Sequence, residues 1–312
     1  MSKHRLSVII LTKDSAATIG ECLKSILDQL IVPDEIIVVD GGSRDETLKI
    51  LSQFPVRIYH EDSSSIGYAR NLGVQKATGE IIFFIDSDCY CERDWFQNML
   101  PHLSRIEVAG VAGRILPWNP ESMLAKYQAA FMTPSEDKVP VRRVPMCNTA
   151  LRKEAILSVG GFDEDLAWSE DLDLLHRVTR TSLIIRENSA VVYHKVPETF
   201  PEFFRKRVRA AISGGELFVK YGFDFGLPRS FTYSVGFLFC VSALILSLFA
   251  YPPAIGPLVS TGLLLTILQI LRLYRISGEK AVVLFPAVAL TLCLAYLNFF
   301  RGFFRRVLQQ VH

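Results

Sequence analysis

The run Ile81-Ile82-Phe83-Phe84-Ile85 passes without a polar break into Asp86-Ser87-Asp88. An apolar run that does not alternate is the pattern of a strand buried on both faces of a parallel sheet. In open α/β sheets, ligands gather at the carboxyl ends of the strands. Two carboxylates one residue apart at such an end suit a hard divalent cation, Mg2+ or Mn2+, that shares its shell with phosphate oxygens. The same residues also read as a strand end followed by a polar turn, and the rest of the chain decides between the two.

Before this run the pattern alternates. Residues 6–11 predict a strand, 16–29 a helix with Ile19, Leu23, Ile26, Leu27 and Leu30 on one side, and 35–39 a strand ending at Asp40. A short helix over 46–53, a strand over 56–59 and a helix over 67–77 lead into the strand 81–85. Repeated βαβ units imply a parallel sheet with right-handed crossovers. No G-x-G-x-x-G follows the first strand, which argues against the usual dinucleotide fold. Beyond residue 92 the spacing predicts helices over 92–103, 122–132, 152–158 and 169–179. It predicts strands over 108–115 and 190–193, and a mobile loop over 134–144.

The chain has 312 residues, enough for one domain of roughly 200 and something more. Residues 200–221 set Arg205, Lys206, Arg207 and Arg209 against Phe203, Phe204, Val208 and Phe218. A basic amphipathic helix suits a membrane surface, or is an ordinary surface helix. Residues 231–250, 254–271 and 281–300 carry no charge and approach the ~20 residues that a helix needs to cross a bilayer. The expected organisation is a first α/β domain over 1–199, a basic interfacial helix and linker over 200–230, and a region of two or three transmembrane spans over 231–312. Arg229 and the 272–280 segment favour the cytosolic side, whereas Arg301, Arg305 and Arg306 conflict with a third full crossing. The apolar run near the amino terminus is too short for a signal peptide. The six cysteines lack the spacing of a zinc or redox motif and are expected to be free thiols. Both features place the first domain on the cytoplasmic side of a membrane.

Four groups converge if the sheet is as described. Asp40 ends the second strand before Gly41-Gly42-Ser43, where it either accepts a hydrogen bond from a base or caps its own turn. Arg70 and Asn71 open a helix beside the same crevice, where an arginine fork can approach a diphosphate or lie on the surface. Asp86 and Asp88 form the third group. Glu170 and Asp171 occupy a helix first turn, where acids are favoured by the macrodipole and where one could also serve as a general base.

These segments resemble those of family-2 glycosyltransferases of the GT-A fold. The likeness lies in "SVIILTKDSAATIGECLKSILDQ", "EIIVVDGGSRDET", "GYARNLGVQKATGEIIFFIDSDC" and "NTALRKEAILSVGGFDEDLAWSEDLDLLHRV". It covers roughly residues 6–195, and the tail looks like that of membrane-anchored members. The resemblance implies an α/β GT-A nucleotide-diphospho-sugar transferase fold, a mostly parallel sheet flanked by helices, followed by C-terminal transmembrane helices. It implies a nucleobase contact at Asp40, a nucleotide border at Thr12 and Asp14, and a diphosphate side at Arg70 and Asn71. Asp86 and Asp88 would hold the metal, with Asp88 the direct ligand. Asn148 would lie near the sugar, Trp168 would wall the acceptor site, and Asp171 would be the base with Glu170 beside it. His194 matches a metal-ligating histidine of some members, or is a structural strand-end histidine. Gly41 stands where many members carry a second acid, and the chain lacks the QxxRW box of processive synthases.

The expected activity is inverting, metal-dependent transfer of a sugar from a nucleotide-diphosphate sugar to a membrane-borne hydroxyl, on a lipid-linked saccharide or a glycolipid. Polyprenyl phosphate as acceptor and a non-catalytic nucleotide-sugar-binding membrane subunit are the alternatives. No nucleic-acid partner is expected.

Overall fold

The computed structural model describes residues 4–63, 65–119, 121, 124–126, 128, 137–225, 298, 301 and 304–308. The chain divides into two compact units, one of residues 1–119 and 131–196, the other of 120–130 and 197–312.

The first unit is built on an eight-stranded sheet. Its strands are β1 (Leu6–Thr12), β2 (Glu35–Asp40), β3 (Arg57–His60), β4 (Ile81–Asp86), β5 (Cys89–Cys91), β6 (Val108–Pro117), β7 (Thr149–Arg152) and β8 (Leu183–His194). Their order is β3-β2-β1-β4-β7-β6-β8-β5. β3, β2, β1 and β4 run parallel, β7 is antiparallel to β4 and β6, β8 is parallel to β6, and β5 is antiparallel to β8. The parallel half is the part that the βαβ pattern foretold, and the other half is mixed.

Two apolar layers explain the unbroken runs of β1 and β4. On one face Val8, Ile10, Phe83 and Ile85 meet Ile19, Cys22, Leu23 and Ile26 of α1 (Ile19–Leu27), Leu51 of α2 (Thr47–Leu51), and Trp95, Phe96 and Met99 of α4 (Trp95–Met99). On the other face Ile9, Ile82 and Phe84 meet Ala69 and Val74 of α3 (Ile66–Lys76), Ile156 of α5 (Lys153–Ser158), and Leu174, Leu175 and Val178 of α6 (Glu170–Val178). Phe83 receives Trp95 and Phe96 edge-on, at 5.2 and 4.6 Å. Each such buried side chain stabilises the fold by roughly 1.5–3 kcal/mol.

Several boundaries differ from those read in the sequence. β5 and β7 are too short to carry a periodic signal. β8 begins at Leu183, seven residues earlier than the predicted 190, because Leu183, Ile184 and Ile185 extend it along β6. The helix expected over 92–103 is α4 followed by a 3-10 turn, Leu100–Ser104, with Pro101 in its first turn. Residues 137–144 are no free loop. The Lys138 and Val141 N–H groups donate to the Arg186 and Ile184 carbonyls, Arg186 donates back to Val139, and Val144 is buried. Residues 134–136 and most of the 122–132 segment lie outside the described residues, as do the three uncharged stretches 231–250, 254–271 and 281–300 apart from Asn298.

In the second unit, α7 (Phe200–Tyr221) has the bounds that the sequence predicted. Thr199 caps it, accepting from Glu202 N–H. Arg205, Lys206 and Arg209 are exposed, while Phe203, Ala211 and Leu217 are buried. No helix among the described residues is long and apolar enough to cross a membrane. The cysteines Cys22, Cys89, Cys91 and Cys147 are free and buried.

Candidate active site

β1 lies between β2 and β4, all three parallel, so their carboxyl ends meet side by side. The register sets Thr12 opposite Asp40 and Leu11 opposite Asp86. Asp40 is fully buried, and its carboxylate accepts the N–H groups of Gly42 and Ser43, each at 3.1 Å, and the Ser43 hydroxyl at 2.5 Å. It therefore shapes its own turn, in which Gly42 takes φ +78°. Thr12 Oγ1 is buried and has no hydrogen-bond partner. Asp14, in the left-handed region at φ 49°, accepts the Arg44 N–H at 2.7 Å and so ties the loop after β1 to the loop after β2. Ser15 and Ser87 bring their hydroxyls within 2.9 Å, linking that pair of loops to the loop after β4.

The second part of the site comes from the helices. Arg70 of α3 is buried, with Nε 2.9 Å from Glu170 Oε1 and a terminal nitrogen 3.7 Å from Asp86. Its guanidinium carbon lies 5.7 Å from the ring centres of both Phe84 and Phe162. Burial would lower the basicity of Arg70, but Glu170, Asp86 and Asp171 more than offset this and raise it. The buried cation thus serves carboxylates within the protein, Glu170 and Asp86.

Asn71 ties α3 to the segment that leads into α6. The Asn71 amide donates to the Phe162 carbonyl and to Glu164, and its oxygen accepts the Phe162 N–H. Gly67 permits this approach, because a Cβ there would lie 2.4 Å from the Asp163 carbonyl oxygen. Ser169, at φ 64°, turns the chain into α6 and presents Glu170 and Asp171 in its first turn. Burial, and next the Glu170 charge, push the Asp171 carboxyl up to about 7. Arg70 and the Leu172 and Met146 N–H groups oppose the rise without cancelling it. A carboxyl titrating there can accept a proton from a hydroxyl near neutral pH.

Asp88 and His194 form a third cluster. His194 Nε2 is 3.5 Å from Asp88 Oδ1, and β5 pairing sets Cys89 directly opposite His194. Among the described residues, Asp88, Cys89 and His194 are the group whose donor atoms could share a metal ion, all lying within 4.8 Å of one another. Burial raises the Cys89 thiol well above its ordinary range, so it is neutral beside the carboxylate and imidazole. Oxygen and nitrogen donors at Asp88 and His194 fit Mg2+ or Mn2+, whereas the Cys89 thiol is a soft donor that these hard cations do not favour.

Two further candidates are Asn148 and Trp168. Asn148 is buried in the sheet, accepting from Trp95 Nε1 at 2.7 Å and donating to the Arg114 and Ala190 carbonyls. All its polar atoms are engaged in holding β6, β8 and α4 together. Trp168 is exposed beside Ser169. The features that reading the sequence missed are Ser43, Ser87, Ser169 and the two rings under Arg70. Of these, the alternation in β4 could have placed Phe84 on the Asp86 side.

Residues 7–157 match the family described as "Glycosyl transferase family 2", a segment that stops short of Glu170, Asp171 and His194. The O-antigen chain rhamnosyltransferase RfbN of Salmonella typhimurium is 28% identical over 219 residues, covering 65% of this chain and 70% of that protein. The glycosyltransferase AglE of Haloferax volcanii is 27% identical over 215 residues, covering 65% and 71%. Among solved structures, the mannosyltransferase PcManGT from Pyrobaculum calidifontis, in complex with GDP-Man and Mn2+, aligns with a TM-score of 0.62 at 19% identity, covering 98% of this chain and 88% of that one. At that identity the likeness concerns the fold.

Proposed function

We propose, from the premise that the chain is a glycosyltransferase with a family 2 domain on a GT-A-like α/β fold, that it carries out inverting transfer from a nucleotide-diphosphate sugar to a membrane-borne hydroxyl. The observation that carries this reading is the Asp171 carboxyl, pushed up to about 7 beside the buried Glu170–Arg70 pair and on the same side as Asp86.

In this reading Asp171 takes the proton from the acceptor hydroxyl as its oxygen attacks the anomeric carbon from the face opposite the diphosphate. Glu170 and Arg70 set the charge around it. Thr12, with its unpartnered buried hydroxyl, and the Asp40 turn border the nucleotide. Asp88 and His194, with Asp86 nearby, would hold the divalent cation, which as a Lewis acid would offset the diphosphate charge when bound. Two solved structures of this fold carry nucleotides, one with GDP-Man and Mn2+ and one with UDP-GlcNAc, which supports a nucleotide-sugar donor. The acceptor proposal rests on the uncharged stretches after residue 230 and on the basic face of α7, which suit a lipid-linked substrate at the cytoplasmic side. A phosphate acceptor needs little base assistance, so the environment of Asp171 favours a hydroxyl.

The test is a screen of nucleotide sugars against membrane lipid extract, with mass spectrometry of the lipid product. A product glycosylated on a hydroxyl, lost in Asp171→Asn, supports the reading. An Asp171→Asn variant with full activity on a polyprenyl phosphate would replace it with the phosphate-acceptor reading.

A further inference from the structure

The sheet face that carries α3 and α6 continues past them to β8 and β5. Cys89 and Cys91 are buried in the opposite layer, so strand alternation turns Tyr90 to this face. Val192 and Ile115 are in that opposite layer too, which turns Tyr193 and Arg114 the same way. Tyr90 and Tyr193 are directly opposed in the β5–β8 register, and their rings stack at 4.7 Å with 13° between planes. Trp118 meets Tyr90 edge to face at 5.0 Å, and its main-chain N–H donates to the His194 carbonyl. None of the three rings is fully buried. Glu92, exposed, pairs with the Tyr193 hydroxyl, and Arg114 Nε is buried without a hydrogen-bond partner close to Tyr193.

We infer that Tyr90, Tyr193 and Trp118 form a platform for a saccharide ring on the acceptor side, with Glu92 and Arg114 as its polar rim. This inference rests on the transfer reading above. A pyranose has an apolar C–H face and a hydroxylated edge. Ring faces flanked by a carboxylate and an unsatisfied guanidinium N–H match both. A purely apolar chain would leave the buried Arg114 N–H unpaired, at a desolvation cost. The position suits an acceptor beside the candidate metal pair: Tyr193 adjoins His194, and Tyr90 follows Asp88 by two residues.

A cross-strand aromatic pair also stabilises a short edge strand, so the test separates the two roles. Saturation-transfer NMR on the full chain uses methyl α-D-mannopyranoside, methyl β-D-glucopyranoside and the methyl glycoside of N-acetylglucosamine as probes. Binding of UDP and GDP with Mn2+ is measured alongside by calorimetry. Wild-type protein should saturate the ring C–H protons of at least one sugar. Trp118→Ala and Tyr90→Leu should weaken that sugar roughly fivefold or more, the ~1 kcal/mol of a ring contact, with nucleotide affinity unchanged. If Tyr90→Leu does not fold, Trp118→Ala and Trp118→Leu carry the comparison. No saturation of any sugar by wild type, equal saturation in the Trp118 variants, or parallel loss of sugar and nucleotide binding each overturns the platform. A wild type that binds neither nucleotide yet shows ring-dependent sugar binding overturns the donor reading and leaves the platform standing.

Discussion

Arg70 Nε sits 2.9 Å from Glu170 Oε1, with both side chains buried, and Asp171 is the next residue along α6. The ion pair therefore sets the charge around the candidate base. Glu170→Gln removes the largest charge that raises Asp171. The acid limb of the transfer pH profile should then move from about 7 toward the ordinary carboxylate range. An unmoved limb would detach Glu170 from the titration of Asp171.

Arg70→Met leaves Glu170 buried and unpaired. Breaking a buried pair from one side costs roughly 3–5 kcal/mol, so urea denaturation should show a loss of that order. A near-neutral change would mean that water reaches Glu170 and compensates it.

Asp171→Asn keeps the shape of the side chain and removes the proton acceptor. Transfer to a hydroxyl should fall by about 10²–10⁴ while nucleotide binding is retained. In the wild type, the active form of Asp171 is the ionised one, so transfer should rise with pH through about 7 and level off above it. Activity that falls over this interval would contradict the assignment.

Asp88→Asn and His194→Ala should each weaken Mn2+ binding at least tenfold, or ~1.4 kcal/mol, read by the electron paramagnetic resonance of free Mn2+. Cys89→Ser should leave the affinity unchanged, because a soft thiol adds little to the binding of a hard cation. Loss of Mn2+ in the serine variant alone would redraw the ligand set.

Gly161 takes φ +76°, and a Cβ there would lie 2.7 Å from Asn71 Oδ1. Gly161→Ala should destabilise the fold by ~1–3 kcal/mol and loosen the loop that delivers Glu170 and Asp171. Thermal melting together with the transfer rate tests this, and a variant unchanged in both would show that the loop is not needed to seat α6.

Glu35 offers a test of pH dependence away from the site. Burial raises its carboxyl, but bonds from Ser7, Thr78 and Arg57 prevail and lower it from 4.5 to about 2. A depressed acid contributes stability that is fully present above pH 4.5 and is lost as the pH falls toward about 2. The gap corresponds to ~3 kcal/mol for a side chain that is 9% exposed. Glu35→Gln should flatten the stability profile across that window, and a profile as steep as the wild type's would assign the loss to other carboxylates.

The sheet's parallel half was legible because its signals are local. The unbroken run 81–85, the turn glycines after Asp40 and the helical spacing of α1 and α7 each lie within a few consecutive residues. β5 and β7, of three and four residues, are too short for periodicity, and the pairing of residues 138–141 with β8 depends on a strand more than forty positions away. The site divides in the same way. The residues at strand and helix ends were visible, whereas their partners were not. Asn148 was visible as a candidate, but its bonds to Trp95, Arg114 and Ala190, all more than thirty positions away, were not. Arg70 was visible as a helix-opening arginine, but its partner Glu170, a hundred residues away, was not.

By itself, the sequence determined the order of strands and helices in the first half, the acids at the strand end, the acid pair opening α6 and the amphipathic helix at 200–221, because periodicity and turn chemistry act between neighbours. The tertiary structure decided which charges meet. Arg70 and Glu170 are a hundred residues apart in the chain, and only the close approach of α3 to the 161–164 segment buries them together, where loss of water turns a contact into a shift of Asp171 toward neutrality.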